Sequence, residues 1–343
     1  MRTTPSQSGR PGALFPLMRA APGLALWLSA LALAALLSLL VDGSDASANV
    51  RALFALPGHD AWLAELLHTL RLPRVLAAAG AGALLATAGA TVQLLFRNPL
   101  AEPGLIGVSG GAALAAAIGL SLGVGALTLT GFAFVGGLGA LLLARQLCGR
   151  DLSGSRLILA GVAVNSLTVS LLTLLIATLS DGPLRSVTFW LMGSFAAMDW
   201  PGAAAMLAAM LPVWLLLRRQ ADFLNALQFG EAAAFHVGFA VSRRLQLAAM
   251  LAALATALVV SSVGMIGFVG LLAPHLARLI SGGEARRLMT LSPVLGALVA
   301  VLADWISRLV LAPAELPVGV VTSLIGAPFF LWLLNRGRDH AGT

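Results

Sequence analysis

The sequence contains no lysine and no tyrosine, only one cysteine, and little charge: 10% of its 343 residues are charged, against about 25% in soluble domains. Without lysine the chain cannot carry the P-loop pattern that cradles ATP phosphates. With Cys148 alone, an intrachain disulfide and a cysteine-cluster metal site are both excluded.

What remains is apolar. Hydrophobic residues make up 59% of the chain, and nearly uncharged runs recur from end to end, leaving no stretch for a soluble domain. A run of about 18 residues crosses a hydrocarbon core of about 30 Å as a helix. The expected fold is therefore all-α: a polytopic membrane protein with about ten transmembrane helices. The segments read as Leu24–Val41, Val75–Phe96, Leu105–Leu122, Gly125–Leu147, Leu157–Leu179, Gly202–Leu217, Leu245–Val263, Ile266–Ile280, Pro293–Ile306 and Val318–Leu334. The eighth and ninth are short and interrupted by glycine or proline. A single transmembrane domain over residues 24–334 would be flanked by tails at 1–23 and 335–343.

The formal charge of +7 raises the question of nucleic acid, but the arginines argue for orientation instead. With the N-terminus inside, sixteen of the 21 arginines and six of the 14 acids fall on the inner side, and five arginines and eight acids on the outer side. The positive-inside rule selects that orientation, and an even number of spans puts both termini in the cytoplasm. Arg10, Arg19, the first apolar run and Ala46-Ser47-Ala48 loosely imitate a cleaved signal peptide, although the run exceeds the usual apolar region.

Several polar residues interrupt the apolar background. In QLLFRNPLAEPGLIGVSGG, Asn98 can cap a turn that begins at Pro99, and Pro103 can start the next helix. Arg97 and Glu102 would then flank a cytoplasmic turn; the competing reading is a broken helix that binds an anion. LRLPRV places Arg71 and Arg74 on one face of a helical turn at the outer mouth of the second span, with Arg308 a third charge on that side. They either snorkel to lipid phosphates or meet acidic residues of an extracytoplasmic protein. FGEAAAFHVG, with Glu231 near its start, reads as one or two short amphipathic helices on the inner surface. His275 has no second metal ligand near it in sequence and is expected to be a packed core histidine. Asn165 and Asp304 are the other polar residues at membrane depth.

These motifs converge. RLPR, GATVQLLFRNPLAEPGLIGVSGGAAL, FWLMGSF, GEAAAFHVG, GFVGLLAPHLAR and ELPVGVVTSLIGAPFFLWLL, in that order over nearly the whole chain after residue 50, resemble the FecCD-type permeases of bacterial ABC importers. The resemblance implies a multi-pass inner-membrane permease subunit that is not itself an enzyme and holds no cofactor. Its partners would be a second permease subunit, two cytoplasmic ATPase subunits that bind ATP and magnesium, and an extracytoplasmic binding protein. It also implies docking of that protein on Arg71, Arg74 and Arg308, and ATPase coupling through Gln228, Gly230, Glu231, Ala234 and Gly238. Asn165, Ser166 and Thr168 would line the pathway, and Arg97, Asn98, Pro99, Glu102 and Pro103 form the family's turn motif. The expected cargo is an iron chelate, either a ferric siderophore or haem, with cobalamin as the alternative within the family. From the residues alone, an ion-coupled secondary transporter and an intramembrane enzyme using His275 and Asp304 are the other classes, but the acids sit at span ends rather than mid-membrane.

Overall fold

The computed structural model describes residues 15–41, 46–56, 58, 60–149 and 154–339, and the side chains of 15–22, 154–155 and 332–339 are outside that description. Residues 1–14 of the expected N-terminal tail, and 340–343 of the C-terminal one, lie outside the described residues. Among the described residues the chain is helical, without strands. The helices are α1 (Phe15–Leu40), α2 (Ala46–Leu53), α3 (Ala61–Leu66), α4 (Leu72–Leu95), α5 (Val108–Ser121), α6 (Ala126–Leu147), α7 (Gly154–Ile176) and α8 (Asp181–Met192). They continue with α9 (Trp200–Arg218), α10 (Ala221–Leu227), α11 (Glu231–His236), α12 (Val241–Val263), α13 (Val269–Ser281), α14 (Ala285–Leu309) and α15 (Val318–Asp339).

Every expected span falls on a helix. Among the described residues, seven stretches are long and apolar enough to cross a membrane: α1, the continuous Ala61–Leu95 stretch, α6, α7, α9, α12 and α14. The shorter apolar helices α5, α13 and α15 take the third, eighth and tenth places. The ninth span is not short. α14 begins at Ala285 and runs through Pro293, which cannot donate to the Met289 carbonyl one turn back. The Trp214 indole N–H of α9 donates to that carbonyl instead, at 2.7 Å, so the helix continues without an orphaned acceptor in the apolar layer.

A second proline shapes the start of α4. Pro73 lacks the N–H that would bond Thr69 O, and its ring crowds that carbonyl. The chain widens there into a π-turn, Leu67–Arg71, in which Leu72 N–H reaches Leu67 O.

α4 lies at the centre, with 89% of its most apolar window buried, compared with 28% for α7. It packs on α14, α9, α12 and α13, while α5, α6 and α7 form a second group that meets it through α12. Composition explains the position. Without a hydrophobic driving force between helices in lipid, small residues decide which backbones approach closely, and α4 is rich in alanine and glycine. At Gly89 a Cβ would sit 1.7 Å from Gly270 O of α13, and at Gly82 it would sit 2.2 Å from Gly296 O of α14. Only glycine permits these crossings.

The helix α8 is absent from the expected spans. Its end joins a backbone junction in which Ser194 N–H donates to Val263 O at 2.8 Å and Val318 N–H donates to Gly193 O at 3.0 Å. The ends of α8 and α12 and the start of α15 are thus tied together without side chains.

Candidate functional site

At the end of the bundle where α4 begins, five charged residues converge. Arg74 lies in the first turn of α4, after the π-turn, and Asp304 and Arg308 lie one helical turn apart on α14, facing it. The Arg74 guanidinium meets Asp304 through Nε, 2.9 Å from Oδ1 and 3.2 Å from Oδ2, and its Nη2 lies 2.9 Å from Oδ1. Its Nη1 is turned the other way and donates to both Glu315 carboxylate oxygens at 3.0 Å. Arg308 Nε lies 3.4 Å from Asp304 Oδ2. The Asp304 side chain is 0% exposed and Arg74's is 10% exposed, whereas Glu315's is 42% exposed. Unpaired ions at such depth would be strongly unfavourable, so Asp304 is what permits two arginines to be buried beside each other.

The same cluster finishes α1. A helix leaves its last carbonyls without intrahelical partners. Arg308 Nη2 donates to Ser38 O at 2.9 Å and Arg71 Nη1 to Leu39 O at 3.3 Å. Asn49 Nδ2 donates to Leu40 O at 2.8 Å and Trp305 Nε1 to Val41 O at 2.7 Å. Four consecutive carbonyls are satisfied by four side chains, two of them cationic and so also favoured by the helix dipole. The three arginines expected to meet a partner protein are thus brought together, and each also has contacts within the chain. With Arg71 included, three guanidinium groups face two carboxylates, and the cluster keeps one net positive charge.

At the opposite end of α4 the chain turns through the RNPLAEP segment. Arg97 takes a left-handed φ of 52°, Asn98 N–H reaches Gln93 O and Arg97 N–H reaches Leu94 O, the paired bonds of a Schellman stop. The Asn98 side chain accepts from Leu100 N–H at 2.9 Å, so it closes an Asx turn ahead of Pro99-Leu100 rather than capping a helix that starts at Pro99. Pro103 opens a 3₁₀ turn, Pro103–Ile106. Glu102 lines a small pocket with Ser109, Thr256 and Gly267, between this turn, α12 and the start of α13. Burial pushes its carboxyl above the ordinary range, and a bond from Phe268 N–H works in the opposite direction.

FGEAAAFHVG holds α11 and its flanking turns on this end, directly after the short helix α10. Gln228 Nε2 donates to Leu94 O of α4 at 2.9 Å, and Asn225 Oδ1 accepts from Ala285 N–H of α14 at 2.8 Å. Arg286 of α14 grips Asp222 with two bonds, at 2.8 and 2.7 Å, and the first cause of that carboxyl's lowered pKa is this hydrogen bonding. Gly230 and Gly238 have φ of 109° and 98°, Ala234 is fully buried, and Glu231 opens α11. Phe229, Phe235 and Val237 stand exposed around them. The pair is therefore fastened to α4 and α14 on one side and presents an apolar face on the other.

Of the three α7 residues, Ser166 is exposed, while Asn165 and Thr168 lie against Gly110 of α5, where a Cβ would come within 2.5 Å of Asn165 Oδ1 and 2.4 Å of Thr168 Oγ1. His275 is buried, edge-on to Phe329 and Phe330 at 6.0 and 5.9 Å between ring centres. Sequence reasoning missed the pairing of Asp304 and Glu315 with Arg74. The i, i+4 spacing of Asp304 and Arg308 was the available signal.

A sequence model described as the FecCD transport family matches residues 30–336. The vitamin B12 import system permease protein BtuC of Vibrio cholerae serotype O1 is 44% identical over 284 residues, 80% of this chain and 84% of that protein. The protein of the same name from Citrobacter koseri is 41% identical over 272 residues, 78% and 82% of the two chains. A solved structure of a metal-chelate type ABC transporter in an inward-facing conformation superposes with a TM-score of 0.82, at 31% identity, over 93% of this chain and 99% of that one. A further one, PsaBC from Streptococcus pneumoniae in complex with Fab, has a TM-score of 0.54 at 20% identity and covers 79% of this chain and 93% of that one, a likeness of fold alone.

Proposed function

The chain belongs to the FecCD transport family, as a multi-pass inner-membrane permease subunit of an ABC importer, and on that premise we propose that its cargo is cobalamin or a closely related corrinoid. The observation that carries this reading is the 44% and 41% identity, over about four fifths of the chain, to permeases named for vitamin B12 import. It displaces the iron-chelate expectation in favour of the alternative. The solved metal-chelate type transporter, 31% identical, keeps an iron chelate as the second reading. Growth of a deletion strain on single sources separates the two. Loss of cobalamin-dependent growth with normal use of ferric siderophores and haem supports the corrinoid; the reverse pattern overturns it.

In the proposed machine the Arg74 end faces outward and the α10–α11 end faces the cytoplasm, the orientation that the arginine distribution favours. The loaded binding protein docks on the outer face, where the net charge of the Arg71, Arg74 and Arg308 cluster attracts acidic groups. Two ATPase subunits that bind ATP and magnesium seat on the α10–α11 pair, whose exposed Phe229, Phe235 and Val237 offer the apolar contact. Motion enters through the Gln228 tie to α4. A second copy of the chain completes the pathway on the side of α7 where Ser166 is exposed. No bond in the cargo is made or broken. Reversing Arg71 and Arg74 together to glutamate tests the docking assignment: weaker binding of the binding protein, most pronounced at low salt, is expected, and unchanged docking contradicts it.

A further inference from the structure

We propose that Glu315 is an internal stand-in for the binding protein's carboxylate: it occupies Arg74 Nη1 in the undocked permease and is exchanged for an acidic side chain of the partner on docking. The inference rests on the docking reading above and adds to it a residue which that reading leaves out.

The division of Arg74's nitrogens carries the argument. Nε and Nη2 lie against Asp304, which is fully buried and has no solvent to return to. That pair is fixed, because separating it leaves a buried ion without a counterion. Nη1 points away from Asp304 and is held by Glu315 alone among the contacts that Arg74 makes with carboxylates. Asp304, which Arg74 shares with Arg308, stays with it when Glu315 leaves, so Glu315 is the exchangeable partner. At 42% exposure its side chain is well hydrated on release, which lowers the cost of parting this half-exposed pair.

The local backbone suits an exchange. Glu315 lies in the connection between α14 and α15, where Leu316 N–H donates to Ser307 O at 2.9 Å and Val318 N–H to Gly193 O at 3.0 Å. The main chain is pinned on the C-terminal side of the residue, so the flexible part is the side chain. Swinging it aside uncovers Nη1 of a guanidinium that is already oriented by Asp304, a fixed donor for a charge-assisted bond to another carboxylate. Self-occupancy also disfavours wrong partners, since a weakly acidic surface does not displace Glu315.

The test uses the permease–ATPase complex in lipid nanodiscs and the cobalamin-loaded binding protein of the same importer, with docking affinity read at low and at moderate salt. Glu315→Gln is expected to tighten docking on the order of three- to tenfold, the scale of one exposed ion pair. That gain is expected to vanish when Arg74→Gln is also present, and to be absent in Glu65→Gln, which removes an exposed acid on α3 without touching Arg74. Unchanged or weaker docking by Glu315→Gln overturns the exchange. An equal gain from Glu65→Gln, or one that survives in the Arg74→Gln background, also overturns it, because it reduces the effect to net charge. Should Arg74→Gln fail to assemble, the comparison of Glu315→Gln with Glu65→Gln decides. If Glu315→Gln fails while the Arg71 and Arg74 reversal still weakens docking, only the exchange is lost; if the reversal has no effect, the docking reading falls with it.

Discussion

Arg74 and Asp304 lie 230 positions apart in sequence and 2.9 Å apart in the fold, an ion pair that locks the first turn of α4 to the last turns of α14. Asp304 also faces Arg308, so removing its charge leaves two buried guanidinium groups with the half-exposed Glu315 as their remaining counterion. Asp304→Asn is expected to lower stability by about 3–5 kcal/mol, the cost of breaking a buried pair from one side. Thermal unfolding in detergent checks it. Glu315→Gln, which touches only the exposed side of the same arginine, is expected to shift the midpoint little, and equal losses in both variants would refute the distinction.

The glycine crossings set a second expectation. Gly89→Val puts branched carbon where Gly270 O already lies, and α4 and α13 must separate. A loss of about 3 kcal/mol or more, or no folded protein at all, is expected from forced backbone shifts. Gly139 of α6 has nothing within 4 Å of its Cβ position, so Gly139→Ala is expected to be nearly neutral. Fluorescence-detected size-exclusion profiles of the two variants give the comparison.

The Gln228 tie invites a functional variant. Gln228→Ala removes the bond to Leu94 O, and paired substitution of Gly230 and Glu231 alters the start of α11. Both are expected to reduce the stimulation of ATP hydrolysis by the loaded binding protein by about tenfold, the order of a lost positioning contact, while docking stays intact. Full stimulation would show that the force enters elsewhere.

Glu102 supplies a pH dependence. Its native carboxyl holds its proton to higher pH than its ordinary value of 4.5, because it is buried. Above 4.5 the native state therefore binds more protons than the unfolded chain, and stability from this group falls as pH rises through the native value. Glu102→Gln is expected to remove that slope, so the wild type loses stability relative to the variant as pH rises above 4.5. Parallel melting curves across that range would contradict the assignment.

Much of this was legible in the residues. Length and hydropathy placed all ten apolar helices, because the bilayer imposes one length scale on every span. They misjudged the ninth, since Pro293 looks like a boundary until Trp214 of another helix is seen to replace its missing donor. They passed over α8, whose first turn carries Asp181, Gly182, Pro183 and Arg185 and so looks like a loop. The arginines at the Arg74 end were found as a group, but their partners were not. Asp304 lies among apolar neighbours, and Glu315 lies in a loop, so only the packing of α14 on α4 brings them to Arg74. Of the two short helices at the other end, α11 falls within FGEAAAFHVG as expected and α10 precedes it; their fastening to α4 and α14 is long-range and has no periodicity to reveal it.

Reconstituted uptake separates a corrinoid permease driven by partner ATPases from the alternatives. Proteoliposomes containing the permease, its ATPase subunit and the loaded binding protein are expected to accumulate labelled cobalamin only with ATP, to stop with vanadate, and to ignore ferric siderophore and haem. Accumulation of either iron chelate in place of cobalamin, or cobalamin uptake that needs an ion gradient and no ATP, would contradict the account.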